Sequence, residues 1–599
     1  MTSRRHTTDH NINTEPKPAS ASQSTKRAKR SLADDLEAQT AVDNHPDALD
    51  RLGGKEGKDE RHRDLAQGLN DTEHPPLPYL NVSHGRDWNL IAADAVARIT
   101  EVDVPTVFLR DDCGKHMVEV ITKSTTDDSH DGKPRLSDVR PVEFASLISR
   151  FAALVRLDAK GNVQRTNIDQ KVAAIIMAAA PMRRLPVIRG LTSAPVLLLG
   201  KDNTLRIIGP GYDPQSGVYV TGRTEVTPVS EWSKGRDRLL GLAYDYKFPS
   251  DGDLARFIAA VLTPALVMGQ FLRDERVPLT VFEADESQTG KGYATKLIGS
   301  VYGESPQRVV QKKGGGLGSL QDSFDSALLR GRPFISFDNI RGRLDLPCLE
   351  SFATEDIYPA RGFHKDYIEV NPSRYVIFMT SNGVSVTADI VKRFNLIRFQ
   401  KQAPGYHYWR DKRGQRLLPH VRERHDRYLG SVWSVLTEWH RRGMPTTDEA
   451  RHDFWAWSQS LDWIVQNLFG LPPLLDGFEE IQRRMVSEYW SFARQLCLAV
   501  KAEGQFGKEV RAAELAGICS DRDIRIPGLR STVEDADAKQ IGIIMKRLFK
   551  DTEDEALADI DDCAAKGQVL NIEGFAITRT REWSPSRNRS CVYVFGQDA

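Results

Sequence analysis

Between residues 250 and 400 the chain alternates short apolar runs with longer segments in which apolar residues recur every three or four positions. The longer segments predict helices, because that spacing places apolar side chains on one helical face. Strands that are separated by helices form parallel sheets whose faces are both covered. The pattern therefore predicts an α/β core, with strands at 279–283, 333–337, 374–380 and 394–399.

The region before this core has a different pattern. Two apolar runs within 105–122 flank Asp111-Asp-Cys-Gly114 and predict a β-hairpin. Residues 140–157 and 166–180 follow a helical period. Between 194 and 220, strands alternate with turns at residues 200–203 and 214–217. We expect a mixed α/β domain here, and we assign no catalytic residues to it.

After residue 400 the pattern is mostly helical. Residues 405–480 contain clustered aromatic residues, among them Trp455, Trp457 and Trp463, whose spacing predicts a core rather than a ligand site. Residues 505–599 predict three helices followed by a hairpin, which is the order of a winged helix.

Two segments invite other interpretations. The first 75 residues are polar and contain few large apolar side chains, so they cannot bury enough surface to offset the entropy of ordering, and we expect disorder. Residues 254–272 are strongly apolar, but they include Arg256 and Pro264 and lead directly into a strand. We predict a buried helix rather than a membrane span. The expected domains are a disordered tail (1–77), a mixed α/β domain (78–248), an α/β core (249–402), a helical lid (403–484) and a winged-helix domain (485–599).

Composition excludes little. Over 599 residues, 82 Lys and Arg balance 82 Asp and Glu, so any nucleic-acid-binding surface must be local. The six cysteines are scattered without a C-x-x-C pair. This argues against zinc sites and disulfides, and it suits a cytoplasmic protein.

The first chemical motif follows the strand at 279–283. A polar loop leads into a helical pattern, and in this order backbone N–H groups and the helix dipole can face a phosphate. Lys291 can then reach the β- and γ-phosphates. Asp285 replaces the first glycine of G-x-x-x-x-G-K-[ST], and Gly292 replaces the Ser or Thr that usually binds Mg²⁺. A plain strand–loop–helix turn is the alternative. The predicted nucleotide-binding residues are Ser287, Gln288, Thr289, Gly290, Lys291, Gly292 and Tyr293.

Two further strand ends carry suitable polar groups. The apolar run 334–337 ends in Asp338, which predicts a carboxylate for Mg²⁺, directly or through water. The next residue, Asn339, cannot accept a proton, so it can only orient the attacking water. The strand 374–380 leads to Asn382, whose amide can contact the γ-phosphate or that water. An ordinary strand-end Asp is the alternative for Asp338.

Arg393 follows Asn382 by eleven residues. An arginine in this position can reach the γ-phosphate of a neighbouring subunit and stabilise transition-state charge, although a surface salt bridge is the alternative. Since carboxyl ends of parallel strands share one edge, where ligands bind in open α/β sheets, we expect Lys291, Asp338 and Asn382 to lie together.

Residues 250–400 resemble the AAA+ ATPases of the superfamily 3 type, as found in primase-helicases of phages, plasmids and genomic islands. The resemblance rests on Thr289-Gly-Lys-Gly292, Phe337-Asp-Asn339, Thr380-Ser-Asn382 and the stretch from Asp389 to Arg393, and it extends more loosely over roughly 100–480.

The resemblance implies ATP and Mg²⁺ as cofactors and a hexameric ring that hydrolyses ATP at its subunit interfaces. It implies a DNA helicase or translocase that acts in replication of a mobile element, with Asp338, Asn339, Asn382 and Arg393 as catalytic residues. The water-activating base stays open among Asp338, Glu283 and Glu350. The departures at Gly292 and Asn339 concern hydrolysis more than binding, and no primase activity is assigned.

A local basic surface is expected near the C-terminus. In the helical segment 537–550, basic residues fall on one face and Ile541, Ile544 and Leu548 on the other. A basic wing tip beside a basic helix predicts phosphate contacts, with a solvated basic surface as the alternative. The predicted DNA-binding residues are Lys539, Lys546, Arg547 and Lys550 on the helix, and Arg579, Arg581, Arg587 and Arg589 around the turn of the hairpin.

Two other functions stay open. One is a nucleotide-gated DNA-binding initiator or regulator with little turnover, which Gly292 and Asn339 favour and which DNA-dependent turnover would exclude. The other is a P-loop small-molecule kinase, which needs an arginine-bearing lid over the acceptor site.

Overall fold

The structure is a computed structural model. Leu80–Ala599 form one unit of the chain, and of Met1–Tyr79 only the last three residues are described. The described residues are 77–597 except 112–115, 123–132, 158–161, 285–288, 310–318, 344–346, 363–366, 386–387, 523, 529–533, 551–567, 573 and 583–589.

The described helices, numbered in chain order, are α1 (Trp88–Thr100), α2 (Pro141–Leu147), α3 (Gln170–Ala178), α4 (Trp232–Leu240), α5 (Asp251–Met268), α6 (Lys291–Val301), α7 (Leu320–Leu329), α8 (Pro347–Thr354), α9 (Ala388–Val391), α10 (Leu417–Glu423), α11 (His425–Arg441), α12 (Trp455–Asn467), α13 (Phe478–Val486), α14 (Glu488–Ala502), α15 (Ala512–Asp521) and α16 (Glu534–Lys550).

The described strands are β1 (Tyr79–Asn81), β2 (Val107–Arg110), β3 (Met117–Ile121), β4 (Arg135–Asp138), β5 (Ala153–Leu157), β6 (Val163–Arg165), β7 (Val187–Ile188), β8 (Gly190–Thr192), β9 (Val196–Leu199), β10 (Leu205–Ile208), β11 (Gly211–Asp213), β12 (Val218–Val220), β13 (Leu279–Ala284), β14 (Gln307–Val309), β15 (Phe334–Arg343), β16 (Tyr358–Arg361), β17 (Tyr367–Val370), β18 (Val376–Ser385), β19 (Phe394–Phe399), β20 (Glu509–Arg511), β21 (Gln568–Ile572), β22 (Phe575–Glu582) and β23 (Ser590–Gln597).

A parallel sheet with the order β14-β15-β18-β13-β19 lies at the centre of the chain. The four strands expected from the apolar runs are all present and parallel. β14 was missed, and β15 and β18 are longer than expected, because they continue to Arg343 and Ser385 through irregular pairing. Helices pack on this sheet and share its hydrophobic core. The region is thus α/β with a parallel sheet, as predicted.

The apolar segment before this sheet is the buried helix α5. Ser250 caps its first turn by accepting a hydrogen bond from the N–H of Asp253. Arg256 is buried in the same helix, where its Nε donates to the carbonyl of Leu396 (2.8 Å) and its guanidinium lies 3.0 Å from Asp253. The ion pair and these backbone contacts make burial of an arginine tolerable. Among the described residues, no helix is long and apolar enough to cross a membrane.

The N-terminal region is a mixture of small sheets and helices. β2 and β3 form the expected antiparallel pair, whose turn residues 112–115 lie outside the described residues. β9 and β10 pair on either side of the turn expected at 200–203, and β11 and β12 pair on either side of the turn expected at 214–217. One interpretation was wrong: the helix expected over 140–157 ends early, and Ala153–Leu157 form a strand that pairs with β6. Strand pairing overrides the weak local preference of such a short segment.

The C-terminal region has its own hydrophobic core, built by α14, α15, α16 and an antiparallel sheet with the order β20-β23-β22-β21. Of the three helices expected within 505–599, the described residues contain two, α15 and α16, before the β22–β23 hairpin, because the third helix of this core, α14, ends at Ala502; β20 and β21 were not foreseen. In the helical region before it, Trp457 is buried as expected, but Trp455 is 61% exposed at the first position of α12.

Candidate nucleotide site and basic surfaces

The carboxyl ends of β13 and β18 form a topological switch point. These strands are neighbours, but after β13 the chain crosses to the edge strand β14, whereas after β18 it crosses to the opposite edge strand β19. The two connections leave in opposite directions, and in open α/β sheets the crevice that binds ligands is expected at the carboxyl edge beside such strands.

Gly290 makes the turn from this crevice into α6. It is the N-cap of the helix and has a left-handed backbone, with φ of 92°. A Cβ added there would lie 3.2 Å from the ring of Tyr246. The left-handed backbone thus favours glycine, and a larger residue would also require the ring of Tyr246 to shift by a few tenths of an ångström. The first N–H groups of an α-helix have no intrahelical partner, so the start of α6 offers donors and a positive dipole end to an anion.

Lys291 is the first residue of α6, and its side chain lies across the switch point. Its Nζ is 2.5 Å from Oδ1 of Asn382 and 3.4 Å from Oγ1 of Thr289. Asn382 follows Ser381, which pairs with Glu283 of β13, so it stands level with the last residue of that strand. The structure brings these two predicted residues into direct contact at the start of the helix.

Asp338 lies in an irregular part of β15, one residue after the regular pairing with β18 ends at Phe337. Its Oδ1 accepts a hydrogen bond from Oγ1 of Thr380 (2.9 Å), and its side chain is 42% exposed. The expected strand end is therefore a bulge-like irregularity, a feature that re-aims side chains beside active sites. Since Thr380 and Asn382 are two residues apart on β18, their side chains share one face of the sheet.

Arg308 is a residue of this site that sequence reasoning missed. It lies on β14 and donates a 2.8 Å hydrogen bond to Oδ2 of Asp338. The sequence feature that could have indicated it is the run Gln307-Arg-Val309, which follows a turn at Gly303. With three residues, this run is too short to predict a strand.

Three predicted loop residues are placed as follows. An added Cβ at Gly292 would meet no atom within 4 Å, so a larger residue fits there. The hydroxyl of Tyr293 accepts a hydrogen bond from the N–H of Leu418 (2.7 Å), so its side chain contacts the segment that starts α10. The hydroxyl of Thr289 lies 3.4 Å from Nζ of Lys291, as given above. Ser287 and Gln288 lie outside the described residues.

Of the other predicted catalytic residues, Asn339 lies in β15, but its side chain is outside the described part of the structure. Glu283 is buried at the end of β13, with 1% exposure, and Glu350 lies on α8. The geometry does not single out either glutamate as the water-activating base.

Arg393 lies at the other edge of the sheet. Its carbonyl accepts a hydrogen bond from the N–H of Leu279, the first residue of β13. Lys291 follows the other end of this six-residue strand, about 20 Å away at ~3.3 Å per residue. The Nε of Arg393 is 3.6 Å from Oδ2 of Asp453. The side chain thus holds an ion pair within its own chain and lies away from the crevice of that chain.

The expected basic face of α16 is present among its described side chains. Ile541, Ile544 and Leu548 are buried, whereas Lys539 and Lys546 are exposed. Arg547 is also exposed, but its guanidinium lies 5.1 Å from the ring centroid of Tyr489 on α14. The side chain of Lys550 is not among those described.

The arginines of the hairpin are placed unevenly. Arg579 pairs with Tyr593 inside the β22–β23 ladder, not at the turn, and its guanidinium lies 5.8 Å from the ring centroid of Phe549. It is half-buried and packs against α16. Arg581 is on β22 without a described side chain, and Arg587 and Arg589 lie outside the described residues.

No family model and no curated protein matches this chain. Among solved structures it is similar to one described as "The A form apo structure of NrS-1 C terminal region-CTR", with 13% identity, coverage of 76% of this chain and 100% of that chain, and a TM-score of 0.30. It is also similar to "SCCmec type IV Cch - active helicase", with 12% identity, coverage of 80% and 89%, and a TM-score of 0.24.

Proposed function

We propose that this protein is an ATPase of the AAA+ type that binds ATP with Mg²⁺ at the β13–β18 switch point and uses hydrolysis to move along or remodel DNA. The contact between Nζ of Lys291 and Oδ1 of Asn382 supports this proposal most directly. A cation from one strand end and an amide from its neighbour meet at the start of a helix, which is the arrangement that phosphate recognition needs.

The residues at this edge fit the nucleotide and its metal. Gly290 shapes the turn so that the first N–H groups of α6 face the crevice, and Lys291 supplies the cation. Nucleotide-bound Mg²⁺ takes one or two protein carboxylates and completes its shell with phosphates and water, so Asp338 suffices as the protein ligand. When bound, the metal supplies charge neutralisation on the phosphates.

The side chains then have separate roles in the proposed reaction. Lys291 exchanges the oxygen of Asn382 for phosphate oxygens, and the released amide orients the γ-phosphate or the attacking water. The hydroxyl of Thr380 holds the carboxylate of Asp338 in position through Oδ1. Arg308 leaves Oδ2 free for the metal only if its guanidinium swings away. Asn339 orients the water, and the base is unassigned.

We further propose that Arg393 acts on the nucleotide of a neighbouring subunit in a hexameric ring. Its place at the edge opposite Lys291 supports a trans role rather than a role in the site of its own chain. The C-terminal domain is proposed to be a winged helix that contacts duplex or forked DNA through Lys539 and Lys546, together with Lys550, Arg581, Arg587 and Arg589. The replication of a mobile element is the setting that the sequence resemblance favours.

A second candidate function is a nucleotide-gated DNA-binding initiator or regulator without productive turnover. Two observations favour it. Oδ2 of Asp338 already accepts a hydrogen bond from Arg308, and Gly292 has no hydroxyl that could help to bind the metal.

ATP hydrolysis by the purified protein, with and without single-stranded DNA, separates the two functions. DNA-stimulated turnover that is lost in Lys291→Ala and in Arg393→Ala supports the motor, and Lys296→Ala on the exposed side of α6 serves as the matched control. ATP binding without turnover in the wild type would support the nucleotide-gated DNA-binding protein instead of the motor.

Mixing the two inactive variants tests the ring. In a mixed ring, some interfaces combine an intact Lys291 from one subunit with an intact Arg393 from the next, so part of the activity returns. If the mixture stays as inactive as each variant alone, Arg393 does not act across a subunit interface.

A further inference from the structure

A segment of exposed tyrosines and basic residues follows the last strand of the parallel sheet. We define residues 400–416 as the strap. Tyr408 on the strap is 53% exposed, and Tyr244, on the segment before α5, is 57% exposed. Tyr406 lies between them, with ring centroids 6.5 Å from Tyr244 and 5.2 Å from Tyr408. Three tyrosine rings thus form a row on the surface, although water-exposed aromatic surface is costly.

Hydrogen bonds fix this row in place. The hydroxyl of Tyr406 donates to the carbonyl of Tyr244 (2.6 Å), and the N–H of Trp409 donates to Oδ1 of Asp245 (2.7 Å). Asp411 closes a turn by accepting hydrogen bonds from the N–H groups of Arg413 and Gln415. The backbone that presents the rings is therefore ordered before a ligand binds, which reduces the entropy cost of binding.

The strap is also strongly basic. It contains five Lys and Arg residues and a single acidic residue, Asp411. The carboxylate of Asp411 accepts the hydrogen bonds of this turn and lies 3.2 Å from Nδ1 of His420. Arg413 forms an ion pair with Glu423, with both side chains largely exposed. The exposed basic residues of the strap are Lys401, Arg410, Lys412, Arg413 and Arg416.

We propose that the strap, together with Tyr244, is a binding surface for single-stranded DNA. Tyrosine rings stack on unpaired bases of any sequence, while lysines and arginines around them contact the phosphates. Duplex DNA keeps its bases stacked within the helix, so the tyrosine row selects the single strand. This surface is separate from the C-terminal basic face, and its binding does not depend on ATP turnover.

The test is the affinity of the full chain for fluorescein-labelled oligothymidylate, measured by anisotropy without nucleotide. Tyr408→Ala and Tyr244→Ala should each weaken binding about 5- to 150-fold, the range for loss of one base–aromatic stack. Trp455→Ala, which removes an equally exposed aromatic residue from α12, should leave the affinity unchanged. Tyr408→Phe keeps the ring and should bind as the wild type does.

Charge reversal tests the basic part of the strap. Lys412→Glu should weaken binding and flatten its dependence on salt concentration, since each phosphate contact contributes about 0.7 to the slope for single strands. Lys201→Glu, an exposed lysine on the β9–β10 turn, makes the same change in net charge and should have no effect.

Wild-type affinity in both tyrosine variants would overturn the proposal. A change in oligomeric state without a change in DNA affinity would also overturn it, because the row would then contact a second copy of the chain. An equal loss of affinity for a duplex of the same length would overturn the selectivity for single strands. Lys291→Ala should bind the oligonucleotide as the wild type does, so a failure of the nucleotide site is distinguished from a failure of the strap.

Discussion

Arg308 donates a hydrogen bond to Oδ2 of Asp338 across the neighbouring strands β14 and β15, at a distance of 2.8 Å. The two side chains are 65% and 42% exposed, so water screens the pair, and its contribution to stability is at most about 1 kcal/mol. The consequence of this ion pair is local, because the carboxylate that is proposed to bind Mg²⁺ is already paired with the guanidinium of Arg308.

We predict that Arg308→Ala lowers the Mg²⁺ concentration needed for half-maximal ATP binding, because the metal no longer competes with the guanidinium. The measurement is titration of a fluorescent ATP analogue at several Mg²⁺ concentrations, with Arg308→Lys as the variant that keeps the charge. Loss of ATP binding in Arg308→Ala would contradict this interpretation and would mean that the arginine contacts the nucleotide itself.

The two glycines that flank Lys291 should respond in opposite ways to substitution by alanine. Gly290→Ala should destabilise the protein by about 1 to 3 kcal/mol, because its positive φ is strained for an L residue and Tyr246 limits the space. Gly292→Ala should be neutral or should stabilise by about 0.5 kcal/mol, because the site is open and alanine favours the helix.

Thermal unfolding of both variants checks this contrast. Gly292→Thr, which restores the hydroxyl of the usual motif, should also raise ATP turnover if the missing hydroxyl limits hydrolysis. Equal destabilisation by the two alanine substitutions would show that the backbone at Gly290 has no special role.

The sequence predicted the part of the site that depends on strand order, but not the part that depends on side-chain packing. Lys291 and Asn382 each follow a long apolar run, and parallel strands bring such residues to one edge whatever the details. Arg308 was missed because its contact with Asp338 depends on the register of a three-residue strand. Arg579 was expected on a wing tip, but the ladder of β22 and β23 places its guanidinium over Phe549.

His452 should make the protein sensitive to mild acid. Its Nδ1 accepts the N–H of Phe454 (3.1 Å), so the neutral ring carries its proton on Nε2, which lies 3.3 Å from the carbonyl of Phe394. Burial lowers the pKa of His452 from its usual value near 6.5 to about 4. Above pH 6.5 the ring is neutral in both folded and unfolded chains, so it contributes no pH dependence. Between pH 6.5 and 4 only the unfolded chain takes up the proton, and up to about 3 kcal/mol of stability is lost.

The measurement is the Tm of wild type and His452→Asn between pH 7.5 and 4.5. The variant loses the hydrogen bonds of the ring at every pH, so it should be less stable at pH 7.5, and the gap should narrow as the pH falls. A gap that stays constant for His452→Asn would mean that the buried ring does not titrate in this way.

The basic residues of the C-terminal domain should divide into DNA contacts and packing contacts. Lys546 is exposed on α16, so Lys546→Ala should weaken duplex binding for all sequences and reduce the salt slope by about 1. Arg547 lies over the ring of Tyr489, so Arg547→Ala should lower stability by about 0.5 to 2 kcal/mol through loss of the cation–π contact, with less effect on DNA.

Anisotropy with a labelled duplex and thermal unfolding of the same samples separate the two effects. Lys508→Ala, an exposed lysine before β20 in the same domain, should change neither measurement. If Lys508→Ala and Lys546→Ala weaken duplex binding equally, DNA is attracted by the general charge of the domain, and α16 does not lie in a groove. If Arg547→Ala weakens binding more than Lys546→Ala without lowering the Tm, the guanidinium leaves Tyr489 to contact the phosphates, and the contacting face of α16 is centred on Arg547.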